Sequence, residues 1–219
     1  MLIKNLPFEA IPHVKFSDPA YRVLTLMQDY NVRQMPVTNQ GKFAGLVSED
    51  LLLEVDGDCT IGELQHLLQP VFVNEDDHFL KAVALATANN LNLIAVTDAE
   101  AVLTGCIKSD QLLKHLAGFM NVQEQGAMIV LEVNPQQYSF SEMSKIIELN
   151  DAHITQLNTS SIPDSTSMLV TIKINKLEIS DIVSSFQRYE YNVKYYSGEE
   201  LYANELKDNY ENLMNYLNI

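Results

Sequence analysis

The chain has 219 residues, 47% of them hydrophobic and 20% charged, with 14 Lys plus Arg against 29 Asp plus Glu and a net charge of -15. That profile fits a soluble globular chain of one large domain or two or three small ones. It speaks against nonspecific nucleic-acid binding, which runs on phosphate neutralisation, and against a polybasic membrane surface.

The acids are not a tail, since residues 1–118 carry a net -7 and residues 119–219 a net -8. Cys59 and Cys106 lie far apart with no CxxC spacing, so neither a disulfide framework nor a thiolate metal site is expected. The N-terminus lacks an apolar h-region and a small-residue cleavage site, so no signal peptide is expected. No run approaches the ~18 apolar residues of a membrane span. The chain is expected to be cytoplasmic.

An internal repeat organises the first half. Val37-Thr38 recurs as Val96-Thr97 at an offset of 59, and Gly45 and Asp50 recur as Gly105 and Asp110 at an offset of 60. In chain order, Ser17-Asp18-Pro19 reads as a cap with Pro at the first helical position. The helix that follows puts Ala20, Val23, Leu24 and Met27 on one face. Strands are predicted at Met35–Thr38 and Phe43–Val47 around a turn at Gly41, then a short helix from Asp50. Thr60-Ile-Gly-Glu63 reads as a capping box opening a helix through Leu64, Leu67 and Leu68. In the second copy, Glu75-Asp76-Asp77 is expected to start a helix that buries Phe79, Val83 and Ala86. Strands Leu93–Thr97 and Val102–Ile107 and a helix from Asp110 to about Leu116 complete it.

Residues 119–127 read as a linker. Strand Met128–Val133, helix Ser141–Asn150, strand His153–Asn158, loop Thr159–Ser167, strand Met168–Ile174, helix Glu178–Tyr189 and strand Asn192–Ser197 follow. That order, βαββαβ, is a split βαβ, ferredoxin-like arrangement. A C-terminal helix over 199–219 would carry Tyr202, Leu206, Tyr210, Leu213 and Leu217 on one stripe. The fold class is therefore α+β.

The two Val-Thr strand ends, Pro36 before Val37, and the elements Gly45–Asp50 and Gly105–Asp110 resemble a tandem pair of CBS domains, residues 1–58 and 59–118. Residues 127–198 resemble an ACT-like domain in element order, and the whole resembles bacterial CBS–CBS–ACT regulatory proteins. The resemblance implies βαββα repeats, a regulatory rather than catalytic role, and a homodimer. It also implies an adenine nucleotide, AMP or a related adenosine ligand, as the effector of an unknown regulated protein. No cofactor is required. A ligand-free dimeric scaffold is the alternative.

In the resembling family, a Gly strand is followed by Thr or Ser and then, three positions on, by an Asp that bonds the ribose hydroxyls. A carboxylate suits a diol because it accepts two charge-assisted bonds. Here Asp50 follows Ser48 by two positions, and Lys108 stands where Ser48 does in the other copy, two before Asp110. Asp50 and Asp110 read first as helix N-caps or first-turn acids, with the ribose contact as the alternative. The adenine contacts map onto Met35, Pro36 and Val37 and onto Ile94 and Ala95, residues that also read as strand core. Arg33 and Lys108 are the cations beside the motifs, enough for AMP rather than ATP. One cleft is expected, walled by Met35, Pro36, Ser48 and Asp50 on one side and Ile94, Ala95, Lys108 and Asp110 on the other.

The first loop of the ACT-like half, Asn134–Ser139, has no Gly, and Pro135 removes an amide donor. That half reads mainly as a dimerisation unit. His13, His66, His78, His115 and His153 show no HxxxH or HExxH spacing, and there is no GxSxG, P-loop or dinucleotide GxGxxG. Tyr195, Tyr196, Tyr202, Tyr210 and Tyr216 read as packing rather than as a stacking platform.

Overall fold

Two packed units make up the chain, Met1–Leu116 and Ala117–Ile219. The computed structural model describes residues 1–9 and 11–198. The predicted C-terminal helix and its stripe lie outside the described residues.

The first unit holds two copies of one motif. In the first copy, β1 (Val14–Lys15) leads to α1 (Ala20–Tyr30), β2 (Gln34–Asn39), β3 (Lys42–Ser48) and α2 (Glu49–Leu53). In the second, β4 (Phe72–Asn74) leads to α3 (Phe79–Ala88), β5 (Leu93–Thr97), β6 (Leu103–Lys108) and α4 (Ser109–Phe119). Each copy makes a three-stranded sheet, in the orders β1-β2-β3 and β4-β5-β6. β2 and β5 are the central strands. All of β5 is buried, and so are the first five residues of β2.

Pro36 sits inside a central strand, where a missing N–H normally breaks the ladder. It faces Leu46, whose own N–H and C=O are turned away to Gln69 at 2.8 and 2.9 Å. This rung asks nothing of the proline nitrogen.

Several starts differ from the sequence reading. Pro19 is the cap residue of α1 rather than its first helical residue. The free amides of Ala20 and Tyr21 donate to the carbonyls of Cys59 and Gly57, so distant backbone replaces a side-chain cap. Leu24 on this helix, and Val83 and Ala86 on α3, are only half-buried. Glu75–Asp77 precede α3 instead of opening it. His78 is the cap residue, and the Asp77 carboxylate accepts from Asn74 N and Lys81 Nζ. The hydrogen-bonded Lys81 ammonium pulls the Asp77 carboxyl below its ordinary range. The Thr60–Glu63 box forms its bond, Thr60 N donating to Glu63 Oε1 at 3.0 Å, but only a 3-10 turn, Gln65–Leu67, follows.

In the second unit, β7 (Ala127–Val133), α5 (Phe140–Glu148), β8 (Ile154–Ser161), β9 (Met168–Ile174), α6 (Ser180–Arg188) and β10 (Asn192–Ser197) form the expected βαββαβ. The sheet order is β10-β7-β9-β8. Alternation buries Ile129, Leu131, Val170 and Ile172 on one face, where α5 and α6 add Met143, Ile146, Ile182 and Phe186. The hairpin loop is shorter than predicted, because β8 runs on to Ser161. Helix α4 reaches Phe119, so the linker is shorter too.

Candidate functional site

The two copies of the first unit are laced together by exchanged lead-in segments. Residues before β4 cross the first copy, with Leu46 N donating to Gln69 O at 2.8 Å and Gln69 N to Leu46 O at 2.9 Å. Residues before β1 cross the second in the same way, with Glu9 N donating to Cys106 O at 3.0 Å. The repeat glycines lie under these crossings. A Cβ on Gly45 would meet Leu68 Cβ at 2.8 Å, and one on Gly105 would meet Phe8 Cβ at 2.9 Å. The glycine of each motif is required because another segment occupies the space of a side chain.

At the start of β2 and β5 the copies touch directly. Arg33 N donates to Asn92 Oδ1 at 3.0 Å, and Asn92 N to Gln34 Oε1 at 3.1 Å. Glu49 N bonds Arg33 O at 2.8 Å, and Ser109 N bonds Asn92 O at 3.0 Å, the same bond in each copy.

Beside this crossing lies a cavity of about 270 Å³ lined by Arg33, Gln34, Ser48, Glu49, Asp50, Gln69, Asn89 and Asn90. It brings together Arg33, Ser48 and Asp50 of the predicted set. Ser48 is the N-cap of α2, its Oγ accepting from Leu51 N at 3.3 Å. The acceptance leaves the hydroxyl proton to donate. Asp50 is a first-turn acid of α2, not its cap, and is exposed. The one-residue-short spacing follows: Ser48 is spent on the cap, and Asp50 stands at the second helical position.

Among the described residues, neither this cavity nor the groove between α3 and α4 brings the two expected walls together. Met35, Pro36, Ile94 and Ala95 are buried in the sheets and do not line this cavity. Asp110 lines a separate, largely apolar groove of about 490 Å³ between α3 and α4, with Val83, Ala86, Leu112, Leu113 and Leu116. Lys108 Nζ lies 3.0 Å from Glu9 Oε2. Asp50 and its equivalent Asp110 thus line separate cavities. Gln69, Asn89 and Asn90 escaped the sequence reading. Gln69 carried a signal in its equivalence to Glu9, whereas the Asn pair after α3 reads only as a polar turn.

Among the described residues no group of three or more His, Cys, Asp or Glu side chains is placed to hold a metal ion. Cys106 is buried, and that burial, with Glu9 nearby, pushes its thiol up to about 12. It is protonated and inert at neutral pH. In the second unit, the Asn134–Ser139 loop turns its amides inward. Gln136 N donates to Asn134 Oδ1, Gln137 N to Asn134 O, and Glu142 N to Ser139 Oγ. Tyr195 is exposed rather than packed, while Tyr196 packs against the core. Among the described residues no helix is long and apolar enough to cross a membrane.

Comparison with known proteins places these features. Residues 3–58 match the family model of the CBS domain. A CBS domain pair/ACT domain protein from Thermotoga maritima is 26% identical, with 55% of this chain and 99% of that chain covered and a TM-score of 0.51. A CBS domain-containing protein from Thermotoga maritima is 20% identical over 54% of this chain and 95% of that one, with a TM-score of 0.47. The CBS domains of a transcriptional regulator from Streptococcus pneumoniae are 14% identical over 52% and 98%, with a TM-score of 0.46. No curated protein matches the chain. The exchanged lead-ins, the buried Val-Thr strands and the repeated Gly-to-Asp elements thus belong to an α+β chain that contains a CBS domain over residues 3–58 and shares the fold of CBS domain pairs.

Proposed function

We propose that the chain is a non-enzymatic regulatory sensor whose first unit binds an adenine nucleotide of AMP size and passes its occupancy to a regulated protein. The observation that carries this reading is the cavity in which Arg33, Ser48 and Asp50 meet. Asp50 accepts from the ribose diol, Ser48 donates to it, and Arg33 pairs the phosphate. The volume of about 270 Å³ lies just below the usual range of ligand sites, roughly 300–1,000 Å³, which favours a monophosphate over a triphosphate. Met35 and Pro36 follow Gln34 in β2 and are buried there rather than lining the cavity. Ile94, Ala95, Lys108 and Asp110 are the repeat equivalents of Met35, Pro36, Ser48 and Asp50 in the second copy.

In this reading residues 1–58 and 59–118 are the two CBS domains and 127–198 the ACT-like domain. Their order resembles that of the bacterial CBS–CBS–ACT regulatory proteins, of which the acetoin-utilisation regulatory protein is one. The ACT-like unit serves dimer formation, since its first loop spends its amides on itself. The protein works in the cytoplasm without nucleic acid or membrane.

Calorimetry with AMP tests the site. Asp50→Ala is expected to weaken binding by about 1.5–3 kcal/mol, the worth of bonds to a charged group. No heat from AMP at millimolar concentration would overturn the sensor reading and leave the ligand-free scaffold.

A further inference from the structure

Where the C-terminal end of α5 meets α6 in the second unit, a recess of about 270 Å³ is lined by Ile146, Leu149, Asn150, Ser185, Arg188 and Tyr189. Its polar members hold one another in place. Asn150 Nδ2 donates to Ile146 O at 2.7 Å, which sets the orientation of the amide, and lies 3.5 Å from Ser185 Oγ. Arg188 Nη2 donates to the same oxygen at 2.9 Å. Ser185 is only 6% exposed. Its oxygen faces two donors, and its own hydroxyl proton meets no acceptor among the described residues. At the other end of Asn150, Lys176 Nζ donates to the backbone carbonyl at 3.2 Å. The chain has 29 Asp plus Glu against 14 Lys plus Arg. Yet among the described residues neither Arg188 nor Lys176 pairs with a carboxylate, and no acid lines the recess. An arginine in the last turn of a helix suits the dipole by itself. Its fixation on a buried hydroxyl with an unspent proton points further, to an acceptor from outside the chain.

We propose that this recess binds a small organic monocarboxylate that has an apolar body and no amino group. Arg188, already oriented by Ser185, keeps its remaining N–H groups for the carboxylate. The Ser185 hydroxyl donates a further charge-assisted bond. The other walls are Ile146, Leu149 and the ring of Tyr189, and the latter two are exposed. An apolar body laid against them removes that surface from water. An amino acid would bring an ammonium group next to Arg188 with no carboxylate to receive it, so like charge rejects it. Acetate and inorganic phosphate supply the charge and leave the apolar walls wet.

The test uses the full chain and 4-methylpentanoate, with the backbone NMR signals of Ser185 to Tyr189 as the readout. Leucine is the same body and carboxylate with an ammonium added, and 4-methylpentanamide is the same body without the charge. The signals are expected to saturate with 4-methylpentanoate at millimolar concentration. Leucine, the amide, acetate and phosphate are each expected to bind at least about tenfold more weakly, as for one lost bond to a charged group or one charge left unpaired. Arg188→Gln and Ser185→Ala should each lower the affinity for 4-methylpentanoate, the first by about tenfold or more. The melting temperature of each variant shows that it is folded. No saturation with 4-methylpentanoate, an equal response to the amide, acetate or phosphate, leucine binding as tightly, or an unchanged affinity in Arg188→Gln overturns the proposal. The ligand series on the wild type decides it even where a variant melts early, and its outcome is independent of whether the first unit binds AMP.

Discussion

A methyl group added at Gly105 would lie 2.9 Å from both Cβ and Cγ of Phe8. Phe8 is a side chain and can be removed, whereas at Gly45 the obstacles include the Gln69 carbonyl at 3.2 Å and a φ of +148° that other residues rarely adopt. Gly105→Ala is therefore expected to cost about 1–3 kcal/mol, as overpacking does, with much of the loss restored in Gly105→Ala, Phe8→Ala. Gly45→Ala should cost at least as much, and Leu68→Ala should not restore it. Urea denaturation of the four variants decides this, and failure of Phe8→Ala to restore Gly105→Ala would refute the crossing. The repeat exposed both glycines in the sequence. The reason for them was not legible, because the segments that press on them come from the lead-in of the other copy. The same holds for Lys108, visible as a cation beside a motif, while its partner Glu9 is close only in the fold.

At the scale of elements, the residues before β1 are themselves a copy of those before β4. Ile3 and Leu6 recur as Ile61 and Leu64 at an offset of 58. Ile3 N bonds Asp77 O as Ile61 N bonds Asp18 O, and Phe79 N bonds Met1 O as Ala20 N bonds Cys59 O. Ile3 and Leu6 are packed in the core around Phe79 and Ile94, and Ile61 and Leu64 in the core around Val23 and Val37. The first residues of the chain thus complete the second copy. Ile3→Ala is expected to destabilise the first unit by about 2–5 kcal/mol, the cost of a cavity in a packed core. A loss below 0.5 kcal/mol in chemical denaturation would contradict this packing. Two apolar residues three positions apart in a short segment show no sustained helical or strand period, so the sequence offered no pattern from which to read this role. Where the pattern was long, as in β5, β9 and α6, the predicted elements match the observed ones within a residue or two. The Thr60 box misled because its hydrogen bond forms without the helix. Gly62 is held against Phe16, with the Phe16 carbonyl 3.2 Å from where its Cβ would be, and the chain must then turn to cross Gly45.

For the whole molecule, the groove between α3 and α4 is lined mostly by apolar residues, among them Leu113, 66% exposed. Apolar surface of this kind is normally covered. The cover we propose for it is a second copy of the chain. Light scattering at micromolar concentration is expected to give a dimer, and Leu113→Asp to shift it to monomer with little change in the melting of the fold. A wild-type monomer would remove the homodimer from the account.

What the sequence determined by itself was whatever rests on local periodicity and repetition: two copies of one motif and a βαββαβ unit after them. These follow from alternation, helical spacing and the turn residues between, all of which act over a few positions along the chain. The tertiary structure alone decided which segment completes which copy, that Asp50 and Asp110 face different cavities, and that Lys108 already holds a carboxylate. Each of these depends on residues about 60 or 100 positions apart in the chain, brought together by burial of Ile3, Ile61 and their neighbours. Burial of apolar surface has no direction along the chain, so its outcome is set by the packed whole.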